Sequence, residues 1–502
     1  MLYDLLLRFV ISITFGRCLV FVLLVSFTFH THSQTSQNLP DSNPGSADTG
    51  GTSTTSSEND VYVTIQNIFI TGNKKTKEEI ILRELDAEVG DVVLRSDLEK
   101  IIENDKNKIV NTQLFLSVDL QIVDIAFDQV EILVKVSERW YLFPVPVFKL
   151  EARNFNDWWV NWNRDFDRVS YGIKLYQYNL RGRNERLKLQ AQFGFTKRFE
   201  LDYRIPYIDR SQQNGLILRV GYDENNNVNY LTEDHVQQFT DFGKRTRENV
   251  YGSITFSHRP SFYSFHYFSL FYRDSKVRDS IAILNPNYFL DGRTRQQYFR
   301  FRYRYRKEAR DMIAYPLKGY MFNFEIDKLG LGIYDDINQL EISADYNKFF
   351  DLGKNYFLSN RIGGNVSFPR RQPYVNSRAL GFRPNFIRGY ELNVIEGQSF
   401  FLHKFSLKKR IINTKTRLHK IIKKEQFNTI PIAVYLKTYF DGGIVNSTIS
   451  ETENSRLTNR YIFGTGVGLD VVTYYDFVMR LEYSVNNEGE RGFFLNFRSV
   501  FN

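Results

Sequence analysis

From about residue 139 onward the chain alternates. In Phe299-Arg300-Phe301-Arg302-Tyr303-Arg304-Tyr305-Arg306 every second residue is aromatic and the residues between are all arginine. A period of two is that of a β-strand, so the aromatics share one face and the arginines the other. Leu187, Leu189, Ala191 and Phe193 interleave in the same way with Lys188, Gln190 and Gln192, as do Leu201, Tyr203, Ile205 and Tyr207 with Asp202, Arg204 and Pro206. Arginine facing hydrocarbon near a bilayer midplane costs about 2–4 kcal/mol per residue, so four in register must face water. A soluble sandwich would turn its apolar faces inward and would rarely carry so many long, aromatic-faced strands. The pattern predicts a mostly β protein, a transmembrane antiparallel β-barrel with a wet lumen.

Strand-like segments fall near 143–151, 168–178, 185–195, 198–207, 214–223, 247–257, 264–273, 297–306, 318–328, 338–349, 355–366, 399–410, 430–440, 460–471, 475–485 and 492–501. That is about sixteen, an even number as a single-chain barrel prefers. The 31 tyrosines and 44 phenylalanines fit aromatic girdles, although the mean hydropathy of −0.38 looks soluble. Beyond residue 30 no run approaches the roughly 18 apolar residues of a membrane helix. The net charge of +9 does not indicate nucleic acid. Its basic residues alternate with apolar ones, without zinc spacing, a basic helix or a basic tail.

Residues 1–33 read as an export signal: Arg8 and Arg17 flank the approach to Leu19-Val20-Phe21-Val22-Leu23-Leu24-Val25, and polarity returns at His30. The single cysteine, Cys18, lies inside this segment, which leaves the mature chain without thiol or disulfide chemistry. Residues 34–60 are rich in Ser, Thr, Gly, Asn and Pro, and such a tether cannot offset its ordering entropy by burial.

Residues 61–138 change period twice. Val61, Val63 and Ile65 alternate; Thr76-Lys77-Glu78-Glu79 predicts a capping box for a helix bearing Ile81, Leu82 and Leu85. Ser96-Asp97-Leu98-Glu99 predicts the same device for a second helix, with Leu98, Ile101, Ile102 and Ile109 inward. Leu116, Val118, Leu120 and Ile122 then alternate, followed by Val130, Ile132, Val134 and Val136. The order is β-α-α-β-β.

Between the eleventh and twelfth barrel segments lies Phe386-Ile387-Arg388-Gly389-Tyr390, and about fifty residues later Phe440-Asp441-Gly442-Gly443 ends an apolar strand. Arg388 offers a fork of donors suited to a carboxylate, and Asp441 is a plausible partner. The pair resembles the signature of the outer-membrane assembly and secretion superfamily typified by BamA, TamA and FhaC, in which an [V/I]RG[F/Y] loop folds back into the barrel. The β-α-α-β-β unit and Thr112-Gln113-Leu114-Phe115 resemble that family's periplasmic POTRA domain, here in one copy.

The resemblance implies several further expectations. Residues 367–398 become the sixth outer loop, with Arg388 held to Asp441 on the inner wall. Phe405-Ser406-Leu407-Lys408-Lys409-Arg410 lacks the glutamate that members often carry there, so Glu482 is the alternative second partner. The second POTRA strand, with Val118, Leu120 and Ile122, should lie at a sheet edge where a client adds a strand; otherwise the domain is only a spacer. A weak lateral seam is expected between the first strand, with Pro144 and Pro146, and the last, with Phe493, Phe497 and Phe501. The prolines alternatively mark only the hinge from the POTRA domain. The turn 411–428, holding Lys415, Arg417, Lys420, Lys423 and Lys424, reads as a docking element or a solvated loop.

No G-x-S-x-G, Walker A or H-E-x-x-H occurs, the histidines form no ligand cluster, and no cofactor or metal is expected. Gly464-Thr465-Gly466-Val467-Gly468 sits in a strand pattern, where glycines let a barrel strand bend or pack closely. Two functions stay open. One is a monomeric outer-membrane barrel inserting or exporting unfolded β-barrel or secreted clients, with lipid and a periplasmic accessory protein as partners. The other is a passive, anion-favouring channel.

Overall fold

The computed structural model describes residues 61–498 except 153–154, 210, 242–244, 335, 383, 418–428, 449–453 and 474–476. The expected signal and tether, and Phe501, lie outside the described residues.

The N-terminal domain runs β1 (Tyr62–Thr71), α1 (Glu78–Leu82), β2 (Val92–Leu94), α2 (Arg95–Asn111), β3 (Phe115–Ala126) and β4 (Gln129–Glu138). Its sheet has the order β2-β1-β4-β3, with β1 parallel to β4 and β3 at an edge. Ile80, Ile81, Leu98, Ile102 and Ile109 from the helices bury against Val63, Ile65, Val130, Ile132 and Val134. Each such side chain contributes about 1.5–3 kcal/mol, which is what holds so small a layer together. The three-residue β2 is too short to show a period and adds one strand to the expected order.

Both capping boxes are corrected. Helix α1 starts after Lys77 and α2 after Leu94, neither with a side-chain cap. Thr76 has a stronger claim on its hydroxyl: Oγ1 donates to Glu138 Oε1 at 2.7 Å and meets the Tyr141 hydroxyl at 3.0 Å. Ser96 falls inside α2 because the chain leaves β2, already paired with β1, directly into the helix.

The rest is one antiparallel sheet of sixteen strands. The first eight are β5 (Leu142–Leu150), β6 (Val169–Leu180), β7 (Glu185–Gly194), β8 (Thr196–Ile205), β9 (Asn214–Asn225), β12 (Arg247–Ser261), β13 (Ser264–Val277) and β14 (Arg295–Arg310). They continue as β15 (Gly319–Leu329), β16 (Gln339–Gly353), β17 (Tyr356–Phe368), β18 (Ser399–Arg417), β19 (Thr429–Asn446), β20 (Tyr461–Thr473), β21 (Phe477–Asn486) and β22 (Arg491–Arg498). Between β9 and β12 a separate hairpin forms from β10 (Asn227–Glu233) and β11 (Val236–Asp241). The expected turn 411–428 is corrected: β18 extends through Arg417 and β19 begins at Thr429, so Lys415 and Arg417 belong to a strand, and 418–428 lie outside the described residues.

The two faces divide as the alternation requires. Phe199, Leu201, Val220, Ile254, Leu270 and Phe301 are exposed, while Asp202, Gln192, Asp327, Lys437, Asp470 and Glu482 are buried on the other face. Continuous outward apolar surface on that scale needs a lipid solvent. The arginine column of β14 turns inward: Arg302 donates to Asp327 Oδ2 at 2.7 Å, Arg304 to Glu325 Oε2 at 2.6 Å, and Arg300 also engages Asp327. No helix among the described residues is long and apolar enough to cross a membrane.

The small domain seats on the short-turn end of the barrel. Arg259 at the end of β12 places both terminal nitrogens on the Glu84 carboxylate, at 2.9 and 3.0 Å. The Arg83 guanidinium lies 3.8 Å from the Tyr207 ring centroid. The Lys77 amide donates to the Gly182 carbonyl at 3.0 Å, and Asn179 Nδ2 to Thr76 Oγ1 at 2.8 Å.

Candidate functional site: the luminal loop and the seam

The long connection from Phe368 to Ser399 turns into the barrel mouth. Ile387, Leu380 and Ile395 bury against Leu402, Val445, Leu457 and Ile462, and this apolar contact brings Arg388 to the wall. There Arg388 Nε donates to Asp441 Oδ2 at 2.7 Å, Nη2 to Asp441 Oδ1 at 2.5 Å, and the Arg388 amide to Asp441 Oδ2 at 3.1 Å. Nη1 reaches Glu482 Oε1 at 3.4 Å and Nη2 reaches Ser406 Oγ at 3.0 Å. The guanidinium plane stacks 3.8 Å from the centroid of Tyr439. Arg388 thus meets both acidic residues singled out by sequence.

Several partners carried no sequence signal of their own. Lys404 bridges Asp441 at 3.1 Å and the Phe386 carbonyl at 2.7 Å. Lys437 joins Glu482 at 2.8 Å and Asp470 at 2.5 Å. These inward positions follow from strand parity with Asp441 and Glu482, which could have found them once those two were fixed. Gly389 takes φ +96°, and its neighbours are held by Asn486 Nδ2 on its carbonyl (3.0 Å) and by the Tyr390 hydroxyl on Asn487 (2.8 Å). Gly464 explains the glycine run of β20: a Cβ there would stand 1.9 Å from the Arg388 carbonyl oxygen.

The hairpin of β10 and β11 pins the loop from outside. Buried His235 at its tip accepts from the Leu457 amide through Nε2 at 3.1 Å. Its Nδ1 meets the Val394 carbonyl at 3.1 Å. One nitrogen must accept and the other donate, which fixes a neutral ring. Burial holds its pKa below the ordinary value of 6.5; Arg456 pushes the same way, while Val394, Asp234 and Glu488 oppose.

The edges of the sheet are β5 and β22, and no pairing joins them among the described residues. The Tyr178 amide bonds the Tyr141 carbonyl and the Glu151 amide that of Arg168, so odd-numbered residues of β5 bond β6. Bonded and non-bonded pairs alternate in an antiparallel ladder, which turns even-numbered amides to the open edge. Pro144 and Pro146 are even: the donors they lack are missing from the seam side, and both prolines pair within the strand rather than in a hinge. On β22 the Asn486–Glu490 bond sets the opposite parity, so the Leu495 amide faces the edge. It donates, at 3.5 Å, to Asn156 Oδ1 on α3 (Phe155–Val160). Phe493 is exposed and Phe497 about one-third exposed beside it.

At the N-terminal domain, Val118 is buried and Leu120 and Ile122 pack against the core, while the backbone of β3 stays at the sheet edge. Val123, Ile125 and Phe127 at its far end are exposed, Phe127 to 86%.

Among the described residues, a sixteen-stranded barrel with polar lumen, an inward-folded arginine loop and one small β-α-β-α-β-β domain define a transmembrane β-barrel joined to an N-terminal domain. The chain belongs to the Omp85 superfamily: the Omp85 superfamily domain matches residues 179–496, and the POTRA model, described as surface antigen variable number repeat, matches 63–139. Among solved structures it is similar to BamA from Haemophilus ducreyi lacking POTRA domains 1–3, with TM-score 0.51, 15% identity, and 87% of this chain and 83% of that one covered. It is also similar to CdiB from Escherichia coli, with TM-score 0.52, 11% identity, and 87% and 75% covered. At such identities the likeness is one of fold. No curated protein sequence matches the chain.

Proposed function

We propose that this protein assembles or exports polypeptide clients at the bacterial outer membrane, with its POTRA domain in the periplasm. The observation that carries the reading is the Arg388 loop, which folds into the outer end of the lumen and is tied to Asp441 and Glu482. A passive pore gains nothing from a loop fastened to its wall by a buried ion pair across its mouth. Family membership supports outer-membrane protein assembly or secretion in general.

In this reading residues 1–33 direct export and 34–60 tether the POTRA domain (61–138) ahead of the barrel (139–502). An extended client adds to the β3 edge, where main-chain bonds give affinity without demanding one sequence. The client leaves through the seam between β5 and β22. The working unit is one barrel in lipid, without catalytic residues or cofactor, alone or with a periplasmic accessory protein.

The test is capture in cells. A photo-crosslinking residue at Val123, on the exposed end of β3, should yield adducts with β-barrel or secreted precursors, and the same residue at Lys100 on α2 should not. Equal adducts at both positions, or none at either, would contradict the client edge.

A further inference from the structure

The lumen holds a cavity of about 1340 Å³, larger than the roughly 300–1,000 Å³ of a small-molecule pocket. Its outer end is closed by the Arg388 loop. Toward its other end the turn between β14 and β15, residues 311–318, folds inward instead of away and lines the cavity beside Gln113 of the N-terminal domain. Tyr315 in that turn is 4% exposed, its hydroxyl donates to Asp470 Oδ2 on β20 at 2.8 Å, and its ring lies 4.9 Å from that of Tyr435. The turn therefore clasps the far wall.

Ten basic side chains line this cavity against four carboxylates, Glu325, Asp345, Asp470 and Glu482. Glu308 and Asp441 stand close by, but each already holds two cations: Arg306 and Arg310 in one case, Arg388 and Lys404 in the other. Lys408 has no ion pair among the described residues and rests 4.4 Å from the Tyr315 ring centroid. Among the described residues the one ion pair of Arg480 is with Asp470, at 3.9 Å, and Asp470 is shared with Lys437 and the Tyr315 hydroxyl. Ile313, Met321, Phe349, Phe386 and Phe400 lie among the cations. A wall of mixed apolar and cationic groups suits a chain bearing side chains better than a hydrated inorganic anion.

We propose that this chamber binds a carboxylate-rich stretch of polypeptide, anchored by Lys408 and by Arg480, whose ion pair with Asp470 is long and shared. The proposal rests on the reading that the clients are polypeptides. Carboxylates arriving beside Asp470 compete for Lys437 and Arg480, and their charge repels Asp470, so the Tyr315 clasp loosens as the segment binds. The turn thereby reports occupancy of the chamber to the periplasmic side.

The test uses the full chain in detergent micelles and a fluorescent octa-glutamate, followed by anisotropy. Octa-glutamate should bind in a salt-sensitive manner and octa-lysine should not. Lys408→Gln leaves no carboxylate unpaired, so the fold is spared; it should weaken binding about threefold, and Lys408→Gln with Arg480→Gln about tenfold or more. Tyr315→Phe, which removes the clasp, should tighten binding. Equal binding of octa-lysine, an affinity unchanged by Lys408→Gln, or displacement by inorganic phosphate at equal charge would each overturn the proposal. Client capture at β3 is scored separately: its loss with octa-glutamate binding intact would strike the function and leave the chamber.

Discussion

Arg388 places its whole donor set inside the barrel, and Asp441 is wholly buried beneath it. Removing one partner of a buried pair costs about 3–5 kcal/mol, because the other charge is stranded. Arg388→Ala and Asp441→Ala should each destabilise the folded barrel and impair function, and the double variant should lose far less than the two losses added. Urea unfolding of all three variants checks this, and additive losses would contradict the pairing. His235 makes a pH prediction. Its folded-state pKa is depressed, so its contribution is present above about 6.5 and is lost as pH falls through the folded value. A protonated ring would set Nε2–H against the Leu457 amide. The protection factors of the Val394 and Leu457 amides, exchange rates taken relative to the free amide at each pH, should fall as pH drops well below 6.5, and His235→Gln should remove that pH dependence. A fall that persists in the variant would assign it to another group. Gly464→Ala should dislodge the loop, since the new methyl would overlap the Arg388 carbonyl. Protease sensitivity of the outer loops reads this out, and wild-type resistance would contradict it.

At the scale of elements, the strands were legible because side-chain parity is set by the pleat alone, and sixteen expected segments met sixteen strands. What parity could not give was anything decided by contact across the barrel. The β10–β11 hairpin lies in an outer loop and shows no alternation against a partner face; its place is set by Asn454, Val394 and Leu457. The Tyr315 turn left one sign, the apolar run Met312-Ile313-Ala314-Tyr315 where a short turn should be polar. The capping boxes failed because Thr76 is claimed by Glu138 and Tyr141, a competition invisible in local sequence. Helix α3 is too short to show a helical period, and it supplies the Asn156 side-chain oxygen that accepts from the open edge of β22. The seam carries its own prediction. Each missing net hydrogen bond is worth about 0.5–1.5 kcal/mol, so an edge that has lost the donors of Pro144 and Pro146 should open readily. Cysteine pairs scanned between 147–150 and 493–497, then oxidised, should stop client insertion, and reductant should restore it. A locked barrel working at the wild-type rate would rule out exit through the seam.

On the scale of the whole molecule, the ion pairs form one chain through the wall. Tyr315 meets Asp470, Asp470 meets Lys437, Lys437 meets Glu482, and Glu482 meets Arg388. The inner turn and the outer loop are therefore anchored to the same three strands, β19, β20 and β21. The POTRA domain is fastened below by the Arg259–Glu84 fork. Arg388 and Asp441 were legible in the sequence because Phe386–Tyr390 and Phe440–Gly443 resemble a family signature, and a fork of donors suits a carboxylate; residue type alone would not have chosen them among the chain's many charged side chains. The lysines between them were not, since a lysine on a barrel strand looks like any other lumen lining. The most direct measurement is the outer-membrane and secreted proteome of a strain depleted of this protein. Particular β-barrels or secreted proteins should be lost while small-solute uptake is kept. An unchanged proteome with only small-solute uptake lost would contradict a role in handling polypeptides and favour a pore.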